Sequence, residues 1–267
     1  MTPDSTASAA LDFTLDVERL YGALIRFSSL PTGAEPSLGG KLLYAGEIAP
    51  DGRALLVAAN IAGAASLAAT ADRVAQKQAV REGVVDFLVN SLDEALRILK
   101  NEIRKRETAA VCIAAAPQAV EIEMLERGVL PDLLAPRPSL TTTALAGNVP
   151  RIEAVRATRD EALVIWKVAT SPAQWLPKFD AIAMDCLPTA LDFESNAARR
   201  WLRLAPRYLG RLAQGVRVLR CELNVAKEFV TRIQKATERE EIDVESEITL
   251  IGNGEAEVFH CMPRPAH

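Results

Sequence analysis

From residue 54 to residue 135, short apolar runs alternate with longer segments of helical spacing, and this alternation limits the fold more than any other feature. "ALLVAA" (54–59) reads as a buried strand, and residues 62–82 read as a helix that stops at Gly83. "VVDFLV" (84–89) is a second strand. "SLDEALRILKNEIRKR" (91–106) opens with a capping box, Ser91 with Glu94, and keeps Leu92, Ala95, Leu96, Leu99 and Ile103 at helical spacing. "AAVCIAAA" (109–116) is a third strand. Pro117 then suits the first turn of a helix that Gly128 ends, and "LPDLLA" (130–135) is a short fourth strand. Strands separated by helices predict a parallel sheet with right-handed crossovers. The expected fold class is therefore α/β: a Rossmann-like parallel sheet with flanking helices, followed by a second, smaller α/β or α+β region.

Upstream, "LDVERLYGALIRF" (15–27) predicts a helix, with Val17, Leu20, Leu24 and Ile25 on one face. "KLLYAGEIAPDGRALLVAAN" (41–60) reads as two strand-like runs around a Pro-Asp-Gly turn. Residues 136–150 read as a loop. In the second half, 162–168, 179–185 and 216–221 look like strands, and 194–215 looks like a helix interrupted at Pro206. A helix over 224–240 follows, and 248–261 reads as a hairpin around Asn253-Gly254. The expected organisation is an N-terminal segment with one helix (1–37), the Rossmann-like domain (38–150) and a second region (151–267).

The formal charge of −4 argues against general binding to nucleic acid or membrane. The N-terminus has no basic, apolar leader pattern, and no apolar run reaches the roughly 20 residues of a membrane span. A cytoplasmic protein is expected. Cys112, Cys186, Cys221 and Cys261 stand far apart without a CxxC pair, so neither a disulfide framework nor a metal site is expected. His260 precedes Cys261 in a strand, where neighbours point to opposite faces, and a structural role fits it better than acid–base work. Trp166 and Trp175 read as core residues rather than cofactor contacts.

"VAANIAGAASLAAT" (57–70) occupies the place of a glycine-rich phosphate loop, yet Gly63 is its one glycine. On its own, the stretch reads as a turn packed by alanines. Its surroundings resemble the urocanase (urocanate hydratase) family. "GRALLVAANIAGAASLAAT" (52–70) is similar to that family's NAD-binding segment, and "VDFLVNSLDEALRI" (85–98) and "AAVCIAAAPQAVEIEMLERGVLPDLL" (109–134) continue the likeness. The resemblance implies a Rossmann-like fold and a family in which the nicotinamide of NAD acts as an electrophile on an imidazole ring. It places Asn60, Gly63 and Ser66 as the cofactor-binding candidates, and it implies a homodimer.

The departures point elsewhere. The family's GLGGMGG loop keeps only Gly63 here, and neither Asp72 nor Asp86 stands where an acid should meet the adenosine ribose. The polar segment after the fourth strand keeps only Ser139 and Gly147, and the signatures of the substrate core are missing. No catalytic residue can be named. The expected function is thus a urocanase-related protein with a degenerate dinucleotide-binding domain, without hydratase activity, acting in binding or assembly and needing no cofactor. One alternative is an NAD-dependent lyase with a remodelled site. Another rests on residues 199–220, which hold seven arginines and no acid. In that reading the helix 194–215 binds an anionic ligand or partner through Arg199, Arg200 and Arg203.

Overall fold

The computed structural model describes residues 3–29, 34–135, 152, 161–189, 192–213 and 215–262. The loop expected at 136–150, with Ser139 and Gly147, lies outside them. Two compact units divide the chain: one takes residues 19–30 and 36–155, the other residues 1–18, 31–35 and 156–267. Helix α1 (Pro3–Ile25) contributes to each.

The first unit holds the parallel sheet. Its strands are β1 (Leu42–Glu47), β2 (Ala65–Ala69), β3 (Phe87–Val89), β4 (Ala110–Ile113) and β5 (Leu133–Leu134). They lie in the order β3-β4-β2-β1-β5, and every pairing is parallel. Between them run α2 (Pro50–Ala62), α3 (Arg73–Arg81), α4 (Leu92–Lys105) and α5 (Pro117–Glu126). Ser91 caps α4 by accepting from the Glu94 amide, while the Glu94 carboxylate accepts from the Asn90 amide. The apolar face of α4 packs with Val120 and Met124 of α5 on Tyr44, Leu67, Ala69, Val111 and Ile113.

One stretch reverses the expected order. Residues 54–59 are not a strand but the middle of α2, and residues 65–69, expected within a helix, form β2. Composition explains the first reversal. "ALLVAANIA" is mostly alanine and leucine, which favour helix, with Val57 and Ile61 its only β-branched residues. Pro50 sits in the first turn and Gly63 (φ 94°) ends the helix in the left-handed region. Every residue of α2 from Ala54 to Ala62 is buried, so no polar face marks the helical period.

The second unit holds an antiparallel sheet of β6 (Glu161–Val168), β7 (Val216–Glu222), β8 (Ser246–Gly252) and β9 (Glu255–Cys261), in the order β7-β6-β8-β9. Its helices are α6 (Pro172–Cys186), α7 (Phe193–Leu209) and α8 (Leu223–Glu238). The strand expected at 179–185 is part of α6. Helix α7 runs past Pro206 to Leu209 and gives way to a 3₁₀ turn at Gly210–Ala213. Trp166 is fully buried against Phe229 of α8, with ring centroids 5.0 Å apart. On the other face Leu11 and Leu15 of α1 cover Ile165, Val216 and Val218. The hairpin turns at Asn253 (φ 55°) and Gly254 (φ 82°), as the sequence predicts.

Candidate dinucleotide-type site

In open α/β sheets ligands bind beyond the carboxyl ends of the strands, where neighbouring strands send their chain in opposite directions. Here the chain steps outward from β1 through β2 to β3, then back through β4 to β5. With right-handed crossovers, α3 leaves β2 on one face and α5 leaves β4 on the other. The crevice therefore opens at the ends of β2 and β4, beside the β1–α2 turn.

That turn is "GEIAPDG" (46–52), which sequence reasoning did not single out. Gly46 has φ +74°, with no atom of the described residues within 4 Å of where a Cβ would stand. The β1–β2 register shifts at this point, between Tyr44 and Gly46. Gly52 lies buried in the first turn of α2, and a Cβ there would overlap the Glu47 carbonyl oxygen. Together they reproduce two uses of glycine in a dinucleotide turn, a left-handed residue and a close helix-to-strand approach. The signal was present in the sequence as two glycines six apart after an apolar run.

The turn's charge does not match its shape. Glu47 and Asp51 are both exposed, and Pro50 removes one of the amide donors at the start of α2. A helix N-terminus attracts anions by about 0.3–1 kcal/mol. Here a carboxylate already occupies the first turn, and like charge opposes a diphosphate.

Across the crevice, Thr70 is fully buried after β2. Its amide donates to the Ile113 carbonyl (3.1 Å), and its own carbonyl accepts from Gln76 Nε2 (2.8 Å). Asp72 caps α3 by accepting from the Val74 amide at 2.7 Å. The reversal of 54–69 changes the meaning of this residue. With β2 at 65–69, Asp72 follows its carboxyl end, where an acid meets ribose in dinucleotide folds. Helix α5 starts at Pro117 without a side-chain cap. Beneath it the Tyr44 hydroxyl donates to Glu121 Oε1 (3.1 Å), both residues being buried. Burial first, and the Glu121 carboxylate second, push the Tyr44 phenol above its ordinary range. Cys112 is buried in β4, and desolvation raises its thiol to about 11, so it is protonated at neutral pH.

The residues expected to hold the cofactor lie at the opposite end of the strands. Asn60 and Gly63 sit at the carboxyl end of α2, where the dipole is negative, rather than at a helix N-terminus. Asn60 Oδ1 accepts from the Thr108 hydroxyl at 2.7 Å, and that hydroxyl also lies 2.9 Å from the Ala64 carbonyl. Ser66 is fully buried near the start of β2, and its hydroxyl has no hydrogen-bond partner among the described residues. This corrects the strand-to-helix turn expected there: the chain passes from helix α2 through Gly63 into strand β2.

The arginines of α7 are engaged within the second unit. Arg199 donates to the Leu187 and Pro188 carbonyls at 2.7 and 3.0 Å, just past the end of α6. Arg200 pairs with Glu35 at 2.7 Å, and Arg203 pairs with the same carboxylate. A ligand for Arg200 and Arg203 would have to displace Glu35. Among the described residues no cluster of His, Cys, Asp or Glu could hold a metal ion, and no helix is long and apolar enough to cross a membrane. His260 is exposed on β9, with Cys261 buried beside it.

The parallel order, the β1–α2 turn with its two glycines and the crevice at β2 and β4 define a domain of the Rossmann-like class. The family model of the urocanase Rossmann-like domain matches residues 26–163, just over half of the 267 residues. The chain belongs to the urocanase family.

Proposed function

We propose that this protein is a urocanase relative that keeps the frame of a dinucleotide-binding domain but works by binding rather than by hydratase chemistry. One observation carries the reading: the turn that would cradle a diphosphate presents Glu47 and Asp51 and begins its helix with Pro50. A site so charged favours a neutral or cationic ligand over a pyrophosphate. The test is a melting experiment with NAD, run beside an assay of urocanate consumption. The expected result is a flat melting temperature at millimolar NAD and no turnover. A saturable rise overturns the reading, since a ligand at 100 times its Kd stabilises by about 2.7 kcal/mol.

A second reading keeps NAD as cofactor of a remodelled lyase. Its support is the left-handed Gly46 with open space above it, together with Asp72 beyond β2. In that case Asp72→Asn abolishes the NAD-dependent rise in melting temperature, whereas Asp86→Asn, outside the crevice, leaves it intact.

A further inference from the structure

Two arginines of α7 converge on one carboxylate from a distant part of the chain. Arg200 and Arg203 stand one turn apart on the same helix face, and Arg207 follows on that face. Arg200 Nη1 donates to Glu35 Oε1 at 2.7 Å, and Arg203 Nη2 donates to both Glu35 oxygens. Between Asn196 and Leu209 the helix has no acid of its own, so Glu35 brings in this counter-charge from elsewhere in the chain. The Arg200 side chain is only 11% exposed, and a guanidinium so little hydrated needs an anion beside it. Arg203 and Glu35 are the open members, at 55% and 40%. Arg199 is used differently. It donates to the Leu187 and Pro188 carbonyls, which ties α7 to the chain just past α6 and fixes the turn that carries Arg200.

We infer that Arg200 and Arg203 form a binding site for a ligand bearing a phosphate dianion, and that Glu35 is its built-in competitor. The carboxylate marks where the ligand's oxygens lie, within reach of both guanidiniums. Forked guanidinium donors suit phosphate and carboxylate alike, so charge decides between them. Glu35 brings one negative charge to two positive groups, and Arg207 adds a third a turn further on. A phosphate monoester carries about −1.5 to −2 at pH 7 and offers three strong acceptor oxygens. It matches the arginines better than Glu35 does. Exchange is easy, because an exposed ion pair contributes little and the Glu35 side chain can turn away by rotation alone. Glu35 meanwhile keeps the poorly hydrated Arg200 paired, so binding swaps one anion for another and never leaves a bare charge. The expected consequence is selectivity: a monocarboxylate gains nothing over Glu35, whereas a dianion does. The site lies wholly within the antiparallel unit and does not depend on what the parallel-sheet unit binds.

The experiment is titration calorimetry of the full chain with inorganic phosphate, glycerol 3-phosphate and acetate, each at the same ionic strength near pH 7. The expected result is saturable binding of the two phosphates, about tenfold tighter than acetate. Glu35→Gln removes the competitor and is expected to tighten phosphate binding about tenfold. Arg203→Gln, at the exposed member, is expected to weaken it about tenfold with an unchanged melting profile. Arg200→Gln together with Arg203→Gln is expected to abolish it. Arg232→Gln, which breaks an exposed ion pair on α8, is expected to leave it unchanged. Phosphate binding seen only in the Glu35→Gln chain also supports the assignment, since it identifies Glu35 as the stronger occupant. No saturable binding to either the wild type or the Glu35→Gln chain overturns it. So does equal affinity for phosphate and acetate, weaker binding after Glu35→Gln, or undiminished binding after Arg203→Gln.

Discussion

The two sheets treat their surroundings in opposite ways. In the parallel sheet every residue of β2 and β4 is buried, and the helices close both faces. In the antiparallel sheet β9 buries only Cys261. A sheet sealed on both faces can present chemistry only where its strands end, which is why the turns at 46–52 and 70–72 matter and the strand interiors do not. A sheet with an open side can use the strand itself, backbone included.

This contrast can be broken experimentally. The sealed unit should tolerate least. Gly52→Ala is expected to cost about 3 kcal/mol or more in urea unfolding, because the added methyl has no room against the Glu47 carbonyl. Gly46→Ala, strained in φ but sterically open, is expected to cost only about 1 kcal/mol. Equal losses would mean that α2 is not held as closely to β1 as described.

The open unit contains its own sealed spot, and pH reaches it. Asp180 pairs with Arg217 at 3.2 Å, yet burial outweighs that charge and raises the carboxyl from 3.8 to about 6. The folded state thus holds this proton more tightly than the unfolded chain does. The resulting cost is absent below about pH 4 and fully present above about pH 6. Stability from this group should therefore fall by about 2–3 kcal/mol as pH rises through that window. Asp180→Asn should remove that portion of the slope, measured as the difference between the two unfolding curves at pH 4 and pH 7. A parallel pair of curves would place Asp180 in water.

Two smaller effects sharpen the picture of the surfaces. Neutralising the turn with Glu47→Gln and Asp51→Asn should raise NAD affinity about tenfold, or 1.4 kcal/mol, by calorimetry. No gain would show that the side-chain charges do not set the preference. Arg203→Ala, at an exposed ion pair, should change stability by less than about 1 kcal/mol.

The same contrast governs what the sequence discloses. "VRVLRC" is a short run whose four apolar residues are all buried, and Asn253-Gly254 has positive φ at both positions, so the strand and the hairpin are legible. The capping residues Ser91 and Glu94 mark α4 equally well. In "ALLVAANIAGAASLAA" everything is buried, periodicity vanishes, and strand and helix exchange places. That single exchange put Asn60, Gly63 and Ser66 at the end of the strands away from the 46–52 turn, and it hid that turn and the place of Asp72 after β2. "FDAIAMD" fails differently: its short alternation imitates a strand, while Ser171-Pro172 upstream starts a helix. The fate of Arg199, Arg200 and Arg203 could not be read, because Glu35 and the Leu187 carbonyl are distant in sequence.

The close seat of Gly52 against the Glu47 carbonyl has an evolutionary consequence. The contact uses backbone alone, so it is indifferent to which side chains the turn displays. Glu47 and Asp51 can change while the helix stays where it is. Lineages built on this frame can gain or lose an appetite for anions through a couple of codon changes, without first passing through an unstable intermediate.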